Sequence, residues 1–319
     1  MIYSMEKNSK ISRLILGGFK ILKIMIKNLR LLIFLDMERV SLTIITLKGG
    51  IKMTIKMIAV DMDGTFLNDE KKYNVVQFNQ IFQVLEEKKI KFVVASGNQY
   101  FQLRSFFPSH YERMAFVAEN GANILIGRKH IYNAEIPSEN IKKTLAILEK
   151  LQPKNLILCG KKSAYISETI SDSALNEAKF YYPVLKKIAN LYDIGDEGDA
   201  IFKLALSFDE EDANEKLHIL KKSLTGILIP VSSGHGDIDL ILPGVHKLNG
   251  LKILGEKWGI GLDEMATFGD SGNDLEMIRG VKNSFAMENA QQKIKEAATT
   301  VIGTNNSGAV LDTIQSLIN

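Results

Sequence analysis

The 319-residue chain is 45% apolar and 24% charged, the balance of a folded, water-facing protein with room for two domains and a good-sized core. Its net charge of +3 is unevenly spread: residues 1–52 hold ten Lys/Arg against three Asp/Glu, so the remainder carries 30 against 34 and shows no nucleic-acid footprint. A single cysteine, Cys159, excludes an internal disulfide framework and points to a reducing, cytoplasmic setting.

Residues 14–35 are apolar but interrupted by Lys20, Lys23, Lys27 and Arg30, so no uncharged stretch approaches the roughly 18 residues of a membrane span. The basic residues recur every three or four positions. This spacing predicts either a basic amphipathic helix lying on an anionic surface or a segment upstream of the true start. For the second reading, Lys48-Gly49-Gly50 is what a purine-rich ribosome-binding sequence encodes in frame, and Met53 follows at a suitable spacing. No small-residue cleavage site marks a secretory signal.

From residue 56 the pattern changes. Ile58–Val60, Phe92–Ala95 and Phe116–Ala118 read as strands buried on both faces. Residues 75–88 have helical spacing, with Val76, Phe78, Ile81, Phe82 and Leu85 on one face. The middle, 137–241, opens with a helix at Glu139–Leu151. Strands Leu156–Cys159 and Ala164–Ser167 follow, with Cys159 a small buried apolar residue. Next come a helical stretch at 173–188, the strand Phe202–Phe208, a helix at 211–223, and a hairpin of Val231–Ser233 with Ile238–Leu242 around Gly234-His235-Gly236. Beyond it, strands Ala266–Gly269, Ser284–Met287 and Thr300–Ile302 alternate with helices near 247–258, 273–280 and 290–298. A last helix at 308–318 has Ser307 as its expected N-cap. Strand–helix alternation of this kind predicts an α/β fold, a doubly wound parallel sheet (53–136 and 242–319) carrying an inserted α+β domain (137–241).

Four short motifs sit where strands end or helices begin, the end at which open parallel sheets bind ligands. Asp61-Met62-Asp63-Gly64-Thr65 follows the apolar run Met57–Val60 and sets two carboxylates one residue apart. Like charges are buried together only when a cation or a reacting group compensates them. Ser96-Gly97-Asn98 ends the second strand with a hydroxyl and free backbone N–H groups suited to a phosphate oxygen. Lys247 opens a helix after Pro243-Gly244. Gly269-Asp270-Ser271-Gly272-Asn273-Asp274 places two carboxylates four residues apart around an amide, a spacing that suits a metal ligand backed by a second carboxylate.

Together and in this order the motifs resemble those of the haloacid dehalogenase (HAD) superfamily of phosphotransferases, from Met53 to the C-terminus. The insert resembles the C2B cap of the Cof-type branch. DMDGTFLND, VVASGNQY, SFFP, FVAENGA, PGVHKLNG and GDSGND resemble the SupH-type bacterial sugar phosphatases. SGNQY departs from the arginine that many Cof-type members carry at Asn98, and Lys247-Leu248 departs from the common Lys-Gly.

The resemblance implies an Mg²⁺-dependent phosphatase acting on small sugar phosphates, with neither nucleic acid nor membrane as partner for residues 53–319. It implies Asp61 as nucleophile, Asp63 as general acid and base, and Lys247 as the countercharge. Asp61, the Asp63 carbonyl and Asp270 would bind the metal, with Thr65 and Asp274 supporting them. Ser96, Gly97, Asn98, Asn273 and Lys247 would hold phosphate or substrate. Asn98 and Gln99 either touch the sugar or cap the next helix. His235 and Asn120-Gly121 are candidates for specificity. Two other readings of the motifs are a sugar-phosphate phosphomutase and a phospho-accepting signalling module; Asp63 separates the latter, which needs no acid/base carboxylate.

Overall fold

Apolar runs too short for helices and buried on both faces build the central sheet. The computed structural model describes residues 55–234 and 236–319 in full, with the strand backbones of 10–16, 19–26, 29–36 and 41–47. His235 and Lys48-Gly49-Gly50 lie outside the described residues. The chain divides into two units, Met1–Thr54 and Ile55–Asn319.

In the first unit, β1 (Lys10–Leu16), β2 (Phe19–Ile26), β3 (Leu29–Asp36) and β4 (Ser41–Leu47) form an antiparallel meander in sequence order. The basic amphipathic helix expected over 14–35 is therefore corrected to strands. Two-residue breaks, Gly17-Gly18 and Lys27-Asn28, divide an Ile/Leu/Phe-rich run into hairpin lengths, and this punctuation outweighs the spacing of the lysines.

The second unit holds two sheets. The larger has the order β18-β17-β16-β5-β6-β7-β8-β9. Its parallel strands are β5 (Met57–Val60), β6 (Lys91–Ala95), β7 (Ala115–Ala118), β16 (Met265–Gly269), β17 (Asn283–Met287) and β18 (Thr300–Ile302). At one edge the hairpin β8 (Asn123–Ile126) and β9 (Lys129–Asn133) runs antiparallel, so the sheet is mixed rather than wholly parallel. Gly127, at φ 55, makes the turn between them.

Helices cover both faces. α1 (Val75–Glu87) is capped by Asn74, whose side chain accepts from the Gln77 N–H, and buries Phe78, Ile81, Phe82 and Leu85. α2 (Tyr100–Ser105), α6 (Lys247–Trp258), α7 (Leu275–Gly280), α8 (Gln292–Ala297) and α9 (Ala309–Ile318) complete the layers. The cap of α9 is Gly308, at φ 75, and not Ser307, whose hydroxyl donates to the Thr304 carbonyl at 2.6 Å.

The inserted sheet has the order β12-β11-β10-β13-β15-β14. It is built from β10 (Asn155–Gly160), β11 (Ala164–Ser167), β12 (Leu185–Ile188), β13 (Ile201–Ser207), β14 (Ile229–Gly234) and β15 (Asp237–Ile241), antiparallel except for β11 with β12. α3 (Ser138–Leu151) and α5 (Ala213–Ser223) cover one face, where Leu158, Leu204, Leu220, Ile238 and Leu240 are fully buried. α4 (Asp172–Tyr181) lies over the other, where Cys159 packs among Ala164, Ile166, Ala178 and Tyr182. The helix expected through 188 stops at Tyr181 because Pro183 disfavours helical backbone at Tyr182, and the chain resumes as β12.

Candidate active site

Asp61 is the first residue past β5. Its N–H donates to the Phe268 carbonyl of β16 at 3.1 Å, which ties the loop to the neighbouring strand end. Gly64, at φ 75, turns the backbone back, and the Phe66 N–H reaches the Asp61 carbonyl at 3.2 Å. A side chain at Gly64 would stand 2.7 Å from an Asp270 carboxylate oxygen, so the glycine admits Asp270 as well as the turn. The Thr65 hydroxyl donates to that carboxylate at 2.8 Å.

Lys247 begins α6, whose N-cap His246 accepts from the Asn249 N–H through its ring at 3.2 Å. The lysine is fully buried, and its Nζ donates to Asp61 and to Asp274 at 2.6 Å each. The second Asp274 oxygen takes the backbone N–H groups of Asp270 and Ser271 at 2.9 and 3.0 Å. Gly269 allows this, since a side chain there would lie 2.7 Å from Asp274.

One ammonium faces three carboxylates: oxygens of Asp61, Asp270 and Asp274 lie within 4.8 Å of one another. The charge balance is felt in each group. Burial, and after it Asp274 and Asp270, raise the Asp61 carboxyl well above its ordinary range against the pull of Lys247. Burial and Asp274 push Asp270 up to about 7. Burial alone would lower Lys247, yet Asp274 and Asp61 together hold it above the usual lysine range. Lysine is thus securely charged while the acids remain short of positive charge. An all-oxygen donor set in that state fits a hard divalent cation such as Mg²⁺.

Asp63 projects elsewhere. Lys71 pairs with one of its oxygens at 2.5 Å and the Asn98 amide donates to the other at 2.6 Å. Lys71 also sits 5.9 Å from the Tyr181 ring centre, a contact from the main unit's loop to α4 of the inserted domain. Ser96 is buried, and its hydroxyl accepts from the Asn98 N–H at 3.1 Å. Gln99 holds the N-cap position of α2, but its side chain makes no capping hydrogen bond and instead exchanges hydrogen bonds with the Val184 backbone of the inserted domain at 3.1 and 3.4 Å.

A cavity of about 160 Å³ brings together Asp61, Asp63, Ser96, Gly97, Asn98 and Asn273 from the main sheet. Its opposite wall comes from the insert and includes Asn155, Glu177, Tyr181, Ser207 and Asp237. Sequence reasoning missed Lys71, Tyr181, Lys203 and Asp239. The last two are charges buried on β13 and β15, a burial that only the folded sheet creates.

The profile of the haloacid dehalogenase-like hydrolases matches residues 58–314. The chain belongs to that family. It is an enzyme of the HAD hydrolase type, built for phosphoryl transfer through an aspartate. It is 42% identical over 266 residues to the Escherichia coli 5-amino-6-(5-phospho-D-ribitylamino)uracil phosphatase YbjI, covering 83% of this chain and 97% of the relative. It is 27% identical over 294 residues to the Bacillus subtilis phosphatase YwtE, which bears the same substrate name, covering 83% and 98%. Among solved structures, SMU.1108c of Streptococcus mutans UA159 superposes with a TM-score of 0.77 at 34% identity, covering 82% of this HAD chain and 98% of the other. Across the fold, no helix among the described residues is long and apolar enough to cross a membrane.

Proposed function

We propose that the protein is an Mg²⁺-dependent cytoplasmic phosphatase of the Cof-type, SupH-like branch that hydrolyses sugar and polyol phosphates through an aspartyl-phosphate. The observation that carries this reading is the division of labour between the first two carboxylates: Asp61 shares Lys247 with Asp274, whereas Asp63 is turned toward Lys71 and Asn98 at the mouth of the cavity.

The free oxygen of Asp61 attacks phosphorus, forming one P–O bond as the bond to the leaving alcohol breaks. Asp63 gives its proton to that alcohol, then takes one from the water that releases phosphate. Lys247, Ser96, the Gly97 N–H and Asn273 hold the phosphoryl oxygens, with Lys247 countering the charge that develops on them. Asp61, the Asp63 carbonyl and Asp270 would hold Mg²⁺, with Thr65 and Asp274 fixing the ligands behind. When bound, the metal neutralises charge between nucleophile and phosphate. Residues 137–241 act as a cap that excludes water and selects the leaving group.

That wall supports a polyhydroxylated leaving group. Glu177, Asp237, Ser207 and Asn155 offer oxygen acceptors for hydroxyl donors, and Tyr181 offers a flat apolar face. The substrate named for the E. coli relative carries a phosphorylated ribityl chain and a flat pyrimidine, and both parts suit this lining. A reducing compartment accords with the buried free Cys159.

The test is phosphate release from hexose, pentose and polyol phosphates and from 5-amino-6-(5-phospho-D-ribitylamino)uracil, with Mg²⁺ or EDTA. Release that requires Mg²⁺ and favours ribityl or sugar esters is expected. Asp61→Asn should abolish turnover without loss of fold, and Asp63→Asn should leave phosphoenzyme that acid quenching traps. Retained turnover in both variants would overturn the assignment.

A further inference from the structure

Between the cap sheet and the phosphate loops runs a buried polar chain in which Lys203, Asp239 and Asn120, all outside the four motifs, reach motif residues Gly97 and Asn273. Lys203 on β13 is 2% exposed; its Nζ donates to the Gly97 carbonyl at 2.6 Å and to Asp239 at 2.8 Å. The other Asp239 oxygen accepts from the Asn120 amide nitrogen at 2.6 Å. The Asn120 amide oxygen accepts in turn from the Asn273 amide nitrogen at 3.0 Å, and the Asn273 oxygen accepts from the Ser271 hydroxyl at 2.8 Å.

The polarity of this chain has one sense. An ionised carboxylate only accepts, so Asp239 can take only the NH₂ end of Asn120. The Asn120 oxygen must then face Asn273 and can take only its NH₂ end. One Asn273 N–H is used in that bond, and the second is left for the pocket it lines beside Asp61 and Ser96. Were the Asn273 amide reversed, its oxygen would face a phosphate dianion.

The local backbone is held in place to serve this geometry. Asn120 has φ 56 and Glu119 before it φ 50, two consecutive non-glycine residues in the strained left-handed region. A side chain on Gly121 would stand 2.6 Å from the His246 carbonyl, and one on Gly97 would stand 3.0 Å from Asp239. The loop is thus wedged between the start of α6 and the cap.

We propose that Lys203, Asp239 and Asn120 are positioning residues that set the amide of Asn273 with its donor end toward the phosphoryl group, so that seating of the cap and binding of phosphate reinforce one another. The inference rests on the reading above, in which Asn273 holds a phosphoryl oxygen.

The test is calorimetric binding of inorganic phosphate to the full chain with Mg²⁺, alongside kcat and KM. Asp239→Asn keeps shape but lets Asn120 turn either way. Asn120→Gly removes the amide and suits the left-handed backbone, so it remains informative should the first variant fold poorly. Each is expected to weaken phosphate binding about tenfold, on the scale of one good charge-assisted hydrogen bond. In an Asn273→Ala background, neither should weaken it further. A purely structural role would lower thermal stability and multiply with Asn273→Ala. Unchanged phosphate binding in both variants, or losses that multiply, would overturn the relay alone. Failure of the unaltered protein to bind phosphate would overturn the functional reading and the relay with it.

Discussion

Asp237 shows how one residue can set selectivity. It lies on the pocket wall, where burial, then Asp239, with smaller contributions from Glu177 and Asp63 and opposition from Lys203, pushes its carboxyl up to about 7. An acid raised in this way is neutral below that pH and charged above it. Hydrolysis of an ester with an anionic leaving portion, such as phosphoglycolate, should therefore fall relative to an ester whose leaving portion is an uncharged sugar as pH rises from 6 to 8. Paired kcat/KM profiles will show it, and Asp237→Asn should flatten the difference. Gly64 gives a second prediction: Gly64→Ala would place a methyl against Asp270 in a backbone conformation unsuited to alanine. Apparent Mg²⁺ affinity, read from activity against metal concentration, should drop at least tenfold.

The motif residues were legible in the sequence because each lies within a few positions of a strand end, where a carboxylate or hydroxyl has few structural reasons to be. Lys203 and Asp239 were not. A lysine in Ile201–Ser207 reads as an edge charge, and its partner lies 36 residues away on a strand that only the folded sheet brings alongside.

At the scale of elements, α6 matters most, since it delivers Lys247 to Asp61. Gly250, one turn in, lets the helix lie on β7; a side chain there would stand 2.4 Å from Val117. Gly250→Ala should cost about 1–3 kcal/mol by overpacking and lower kcat with little change in KM, because the shift moves Lys247 rather than the cap. Thermal melts with steady-state kinetics will separate the two effects.

The strands and helices of the central sheet followed from periodicity, since runs buried on both faces have few other readings. The errors fell where punctuation competes with period. Pro183 ended α4 early, Gly127 made an unexpected edge hairpin, and the stretches Lys10–Leu16, Phe19–Ile26, Leu29–Asp36 and Ser41–Leu47 are strands. Each breaker was visible, but its weight against helical spacing is settled only by the partners that tertiary structure supplies.

For the whole molecule, the acidic cluster couples metal to stability. Asp270 binds its proton more tightly folded than unfolded, so the metal-free protein loses stability as pH rises from about 4 to about 7, and the cost is complete above that. Mg²⁺ should then raise Tm at pH 8 and EDTA should reverse the gain. Asp270→Asn should raise the metal-free Tm and abolish the Mg²⁺ response. We also propose that residues 53–319 form the catalytic body. Because Ile55–Asn319 is a unit of its own, protein begun at Met53 should keep full kcat.

Cys159 offers a last consequence. It is the chain's sole thiol, wholly buried between the cap sheet and α4, and burial holds it well above the ordinary thiol range. A thiol reagent can reach it only when α4 lifts from the sheet, so the alkylation rate of the native enzyme measures the opening free energy of that one layer. The unaltered protein thus carries its own spectator of cap breathing, one that needs no introduced label and does not report unfolding of the catalytic sheet alone.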